Sequence, residues 1–183
     1  LQEMLRFASA EGLHLLPAGA MEHSTHAGLP EAVDFVLTAD DADRSFYEHA
    51  YPLLKKYGVK MHLFVPTAHV GTEWAELELC TWDQLRELLP ELRRRKVEDE
   101  GELRLLELRT HRALLEQAFL AGDERRLNMA WADVPRSVRS DPKLLGDYAG
   151  YLQESGQDER AEKLLREALH KNWDTDLVET YGL

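Results

Sequence analysis

The stretch that decides the fold of this chain lies near its C-terminus, where residues 144–174 read LLGDYAGYLQESGQDERAEKLLREALHKNWD. On both sides of Gly156 the large apolar residues recur at intervals of three and four, the spacing of one face of an α-helix. Helices joined by a link as short as Glu154–Gln157 must be antiparallel neighbours. The stretch therefore predicts a pair of antiparallel helices.

The same helical period extends back to Thr81, with Gly and Pro at the turns. Pro90 should interrupt or divide the first amphipathic segment of this region. Asp123, and Asp141 placed directly before Pro142, are typical helix starts. Residues 81–183 are therefore predicted to form one all-helical domain.

The helical pattern also predicts which side chains of this domain are buried. The predicted core consists of its leucines and several aromatic residues: Leu85, Leu88, Leu89, Leu92, Leu103, Leu106, Leu114, Leu165, Trp131, Tyr148, Tyr151 and Trp173. His111 and His170 lie in helical segments without companion ligands. We expect them at the surface or at helix ends.

The first 80 residues alternate between helical and extended patterns. Pro52 should kink or shorten the second helical segment, Ser45–Tyr57. Short runs that are apolar on both faces suit buried parallel strands, and they occur at Leu13–Leu16, Val33–Ala39 and Val59–Val65. The predicted fold class is mostly α, with a small α/β domain of about three parallel strands at 1–80 and antiparallel helical hairpins at 81–183.

Charge and composition limit the classes of partner. The formal net charge is −12; Leu1–Cys80 holds 5 basic and 12 acidic side chains, and the remainder holds 17 and 22. Neither half offers the basic surface that nucleic acid or anionic lipid requires. Cys80 is the single cysteine, and no apolar run is long enough to span a bilayer. We expect a soluble protein, cytoplasmic if expressed as given, without nucleic-acid or membrane partners.

The helical pair resembles the tetratricopeptide repeat, in which small residues let neighbouring helices approach and large ones fill the gaps. Here Ala149, Gly156 and Ala161 are the small residues, and Tyr148 and Leu165 are among the large ones. The loop WADVPRSVRSDP and the closing NWDTDLVETYGL make residues 82–183 similar to the C-terminal region of the HemY-type family, which is associated with bacterial haem biosynthesis. This resemblance implies a protein or peptide partner and brings no catalytic residue.

Residues 1–85 resemble a truncated polysaccharide deacetylase of the NodB type, on the strength of VDFVLTADDADRSFYEHAYPLLKKYGVKMHLFVPTAHVGT. That family carries Thr-Phe-Asp-Asp-Gly after its first long strand. The resemblance implies that Asp40 would be the general base and Asp41 a ligand of a divalent metal such as zinc. In the family, two His of a later motif complete the metal site.

The motif departs from the family at Ala39 and Ala42, which replace the aromatic residue and the Gly. After His69, the only histidines are His111 and His170, both in the helical half. His23 and His26 are the remaining candidate ligands, with His69. His23 and His26 precede the acidic pair, and their spacing differs from that of the two His in the family motif. We therefore interpret them as part of a coincidental surface loop. One of the two aspartates is instead expected to cap the Ser45 helix.

The change from one family pattern to the other near Trp82 indicates a chimeric or artificial sequence. We therefore favour a non-enzymatic helical-repeat interaction or scaffold protein without a cofactor. The alternative is a divalent-metal-dependent polysaccharide N-deacetylase that uses Asp40 as its base and Asp41, His23 and His26 as ligands.

Overall fold

The computed structural model describes residues 1–11, 13–16, 34–74, 76–94, 100–171, 173–175 and 177–178. The chain is mostly helical with a few short strands. It divides into two compact units, Leu1–Gln84 and Leu85–Leu183. None of the described helices combines the length and the apolar character that crossing a bilayer requires.

The N-terminal unit contains two small parallel sheets. Strand β1, His14–Leu16, pairs with β2, Asp34–Val36, and β3, Thr38–Ala39, pairs with β4, His62–Leu63. The predicted run Val33–Ala39 is thus divided into two strands that take different partners. Helix α1, Gln2–Ala10, buries Leu5 and Ala8.

A short antiparallel hairpin follows, formed by β5, Glu73–Trp74, and β6, Leu77–Glu78. The sequence analysis did not predict it, because strands of two residues are too short to show an alternating pattern.

Pro52 shapes the helical segment between β3 and β4. A π-helical turn, Phe46–Ala50, leads into α2, Tyr51–Tyr57, with Pro52 in its first turn. The Tyr51 N–H donates to the Phe46 carbonyl, five residues back. Pro52 has no N–H and cannot continue the backbone hydrogen bonds of the preceding turn. A proline is tolerated in the first turn of a helix because the N–H groups there have no carbonyl partner within that helix. Helix α2 ends at Gly58, whose φ of 66° is left-handed.

Helix α3, Trp82–Arg94, begins with a reciprocal cap. The Gln84 N–H donates to the Thr81 hydroxyl at 3.2 Å, and the Thr81 N–H donates to the Gln84 side chain at 2.9 Å. The predicted division at Pro90 is wrong, because the helix continues through it. Burial of Leu85, Leu88 and Leu89 offsets the hydrogen bond lost at Pro90.

The described part of the C-terminal unit continues with α4, Glu100–Leu120; α5, Glu124–Ala132; α6, Pro142–Glu154; and α7, Asp158–Lys171. Asp123 caps α5 by accepting from the N–H groups of Arg125 and Arg126, and Asp141 caps α6 by accepting from that of Lys143. Both predicted helix starts are confirmed. Helix α4 packs against α5 and α6, and α6 packs against α7.

The core of this unit agrees largely with the predicted helix faces. Leu165 is 1% exposed, and the Trp131 ring stacks on Tyr148 with centroids 4.3 Å apart. The main core cluster consists of Leu115, Ala118, Leu127, Val134, Val138, Leu144, Leu145, Tyr148, Ala149, Leu152, Ala161, Leu165 and Leu177.

Two predictions about burial are wrong. Trp173 is 74% exposed, because it lies beyond the end of α7, where helical period no longer assigns a face. His111 is only 2% exposed, together with Glu107 and Thr110 of the same helix. Each of these three residues lies three or four positions from another buried residue of α4, so the buried face of the helix is wider than its apolar pattern indicates.

Candidate functional site

The acidic pair lies at the carboxyl end of β3. Ala39 ends the strand, and its carbonyl accepts from the Phe64 N–H at 2.9 Å, which places the residue after β4 next to the start of the pair. Asp40 is exposed and Asp41 is half-buried. The carboxyl ends of parallel strands are where ligands of open α/β sheets bind.

The chain turns sharply directly after Asp40. Asp41 and Ala42 have φ of 66° and 43°, the left-handed region that residues other than Gly, Asn and Asp rarely adopt. Ala42 stands where the resembled family has Gly, and it is 1% exposed. Its carbonyl accepts from the Cys80 N–H at 2.9 Å. Tertiary contacts thus hold the turn although the Gly is missing, at a cost of about 1–2 kcal/mol for the left-handed Ala42.

Asp43 caps the following helical segment, so the expected cap by Asp40 or Asp41 is wrong. The Asp43 carboxylate accepts from the N–H groups of Ser45 at 2.7 Å and Phe46 at 3.2 Å. An N-cap side chain accepts from the N–H groups two and three residues further along the chain, and for Ser45 and Phe46 that residue is Asp43. Asp40 and Asp41 therefore do not cap this helix.

Cys80 anchors the loop that closes this part of the unit. The thiol is fully buried and donates to the Asp43 carbonyl at 3.4 Å, while the Cys80 carbonyl accepts from the Gly71 N–H at 2.9 Å. Burial, together with the charge of the nearby Asp43, raises the pKa of the Cys80 thiol to about 11. A thiol in this state is a structural residue and a poor nucleophile.

The described histidines of this unit do not assemble around the acidic pair. His69 stacks on Trp74 with ring centroids 5.3 Å apart and planes 14° apart, and His62 contacts the Phe64 ring. His23 and His26 lie outside the described residues. Within the described parts of the chain, no three His, Cys, Asp or Glu side chains are grouped closely enough to hold a metal ion. The residues described here do not fit a divalent-metal centre.

A polar cluster in the C-terminal unit was missed by the sequence analysis. Glu107, 2% exposed, accepts from the Arg93 guanidinium at 2.5 Å, and Arg93 also donates to the Ser137 hydroxyl at 2.8 Å. Arg86 pairs with Asp133 at 2.6 Å. Each cation lies on α3, and each acceptor lies elsewhere in the unit, so this cluster attaches α3 by ion pairs as well as by its leucines.

His111 lies one helical turn after Glu107. Its Nδ1 atom is buried and has no hydrogen-bond partner among the residues that the structure describes. Burial, together with the positive charges of Arg86 and Arg139, lowers the pKa of His111 to about 4 against the opposing effect of Asp133. The imidazole is therefore neutral at pH 7.

A shallow depression of about 650 Å³ follows the exposed side of α5, from Gly122 to Ala132. Charged Asp123, Glu124 and Arg125 line it together with Met129. None of its lining residues is a histidine or a cysteine.

Comparison with known proteins locates one family in the N-terminal part. Residues 30–91 match the family model for polysaccharide deacetylase. Poly-beta-1,6-N-acetyl-D-glucosamine N-deacetylase from two Staphylococcus aureus strains, MSSA476 and MRSA252, is 42% identical to this chain over 50 residues. That stretch is 27% of this chain and 17% of the relative. The N-terminal part of the chain thus carries a polysaccharide-deacetylase segment.

A solved structure, that of IcaB from Ammonifex degensii, is also similar. It is 28% identical, with a TM-score of 0.43, and the likeness covers 49% of this chain and 39% of that one. The family match ends at residue 91, inside α3, and α4 is the next helix.

Proposed function

We propose that this chain acts without catalysis, as an interaction module whose contacts are made by its helical unit. The observation that supports this most directly is the setting of Asp41. It follows β3 as a deacetylase ligand would, but among the described residues it belongs to no group of three possible metal ligands, and both histidines after His69 belong to the helical unit. One of those, His111, is buried on α4, and the other, His170, is exposed at the end of α7.

The chemistry of a metal-dependent deacetylase requires the complete ligand set. A catalytic zinc site takes three protein ligands and keeps a further position for water. A single carboxylate holds the ion too weakly to lower the pKa of that water to a useful value. Asp41 alone does not supply such a site, so we propose no step through a metal.

The helical unit supports the proposed interaction function. Helices α6 and α7 pack as neighbours around Ala149 and Ala161, both fully buried, with Leu152 and Leu165 beside them. We infer that this pair is a tetratricopeptide-like hairpin and that the unit is related to the HemY-type repeat region. Hairpins of this kind stack to form a concave surface, and we propose a protein or peptide as the occupant.

The proposal extends to the origin of the chain. The deacetylase segment extends to residue 91, whereas the tetratricopeptide-like pattern begins near Trp82. We infer a chimeric or artificial sequence joined in this region, with domains at 1–80 and 81–183. A joint at this position explains why the deacetylase segment stops before its metal-binding histidines.

Polysaccharide N-deacetylation is the competing function, and the identity of 42% over 50 residues favours it. Acetate release from β-1,6-linked N-acetylglucosamine oligomers, measured with and without added zinc or cobalt, distinguishes the two. We expect no release above background. Release that needs the metal and disappears in both Asp40→Asn and Asp41→Ala would establish the enzyme and make His23 and His26 the first candidates for its ligands.

A second experiment tests the interaction itself. Peptides selected from a random displayed library with the whole chain should shift the amide NMR signals of α4 and α6 when added to the protein. Signals that shift only in the N-terminal unit would contradict the assignment of binding to the helices. Scrambled versions of the selected peptides serve as controls.

A further inference from the structure

The environment of His111 differs from that of the other described titratable groups on α4. The residue is 2% exposed, and its Nδ1 atom has no partner among the described residues. A protonated imidazole carries an N–H at both nitrogens, and no described group is placed to accept from the one at Nδ1. Protonation would bury both a positive charge and an unsatisfied donor, and each carries a large free-energy cost.

The charged groups that act on His111 come from the elements around it. Arg86 belongs to α3, Asp133 and Arg139 belong to the segment between α5 and α6, and the charges of all three act on the imidazole. Asp133 is the single anion of the three, and it is already paired with Arg86 at 2.6 Å. Arg139 donates to the Ala132 carbonyl at 2.6 Å and to that of Trp131 at 3.0 Å, which holds it in place.

On α4 itself, Glu107 precedes His111 by one turn and is also part of an ion pair. Its carboxylate is bound by Arg93 of α3 at 2.5 Å. An imidazolium at position 111 would therefore face two fixed cations, Arg86 and Arg139, while both nearby carboxylates already hold arginines. The arrangement accommodates a neutral ring and opposes a charged one.

We propose that His111 is an acid-sensitive latch of the helical unit, which keeps α3 in place while its imidazole is neutral and releases α3 when the imidazole is protonated. Movement of α3 would withdraw Arg86 and admit water to the imidazolium. It would also uncover Leu85, Leu88 and Leu89, which are buried on α3. The latch is independent of the proposed interaction function and of any deacetylase activity.

The direction of the effect follows from linkage. In the released state the imidazole is solvated and takes up a proton near the ordinary pKa of 6.5, whereas in the latched state the pKa is about 4. The contribution of His111 to the stability of the latched state is therefore fully present above pH 6.5. It falls as the pH falls through this window, and below a pH of about 4 it does not change further. Across the window, the equilibrium between the two states shifts by about 300-fold, the ratio of the two proton affinities.

The test compares the whole chain with His111→Gln, which stays neutral at every pH, and with His170→Gln, which changes an exposed imidazole on α7. Urea midpoints and the fluorescence of an apolar dye are measured from pH 7 to pH 4. In the natural sequence we expect the midpoint to fall and the dye fluorescence to rise between pH 6.5 and 4. His170→Gln should keep both responses, and His111→Gln should lose most of them.

Equal pH responses in the natural sequence and His111→Gln would overturn the proposal. A second measurement does not depend on the folding of that variant. In the natural sequence, the imidazole Cε1–H signal of His111 should stay at its neutral position until α3 is released. A His111 signal that titrates near pH 6.5 while the helical signal and the dye fluorescence stay constant would also overturn it.

Discussion

Leu165→Ala should destabilise the helical unit strongly. Leu165 is 1% exposed on α7 and belongs to the main core cluster. Truncation to Ala removes three carbon atoms, which at about 0.8 kcal/mol for each buried group is about 2.4 kcal/mol of lost transfer free energy. Ala149 and Ala161, both fully buried in the same cluster, are too small to fill the space. At about 24 cal/mol per Å³, the cavity that remains brings the expected cost to about 3–4 kcal/mol.

The assay is urea unfolding, followed by far-UV circular dichroism for the helices and by near-UV circular dichroism for the stacked Trp131–Tyr148 pair. The matched control is Leu120→Ala, because Leu120 is 74% exposed at the end of α4. That control should stay within about 0.5 kcal/mol of the natural sequence. A cost for Leu165→Ala below about 1 kcal/mol, or equal to that of the control, would refute the assignment of Leu165 to a close-packed core.

Three further outcomes are expected. A Thr81–Leu183 fragment should retain its helical circular dichroism, because stacked hairpins bury apolar surface mainly against sequence neighbours, and an unfolded fragment would show that the first 80 residues share its core. Trp173→Ala should change the free energy of unfolding by less than about 0.5 kcal/mol, since the ring is 74% exposed. Cys80, with its pKa raised to about 11 by burial, should react slowly with iodoacetamide at pH 8 in the native protein and rapidly in urea; equal rates would contradict its burial.

The parts of the fold that the sequence predicted well are those with local causes. Helices α6 and α7 are bounded by an N-cap at Asp141 and a turn at Gly156, and their apolar spacing assigned Leu165 to the core. The burial of His111 depends on which helices surround α4, a tertiary property that helical period does not contain. Trp173 was misassigned for the related reason that it follows the last turn of its helix.

The candidate site shows the same limit. A strand followed by Asp40 and Asp41 could be predicted, because runs of apolar residues mark strands locally. The identity of the capping residue could not be predicted, because it depends on the left-handed turn at Ala42. That turn is held by a hydrogen bond from Cys80, which is distant in sequence. The histidines near the pair had no predictable position, because a metal ligand set is defined by tertiary proximity.

Asp43 has a consequence for how substitutions in this region should be interpreted. Its carboxylate caps a helix, its carbonyl receives the Cys80 thiol, and its backbone forms a bridge with Leu79. A scan of all substitutions through the run Asp40 to Asp43 should therefore show tolerance at Asp40, a preference for Gly and Asn at the left-handed Asp41, and intolerance at Asp43, with Asn and Ser the best replacements there. Sequence profiles that treat this run as one acidic motif would attribute to chemistry a selective pressure that comes from folding. The property that evolution or a designer must preserve here is the side-chain hydrogen-bond acceptor of the third aspartate.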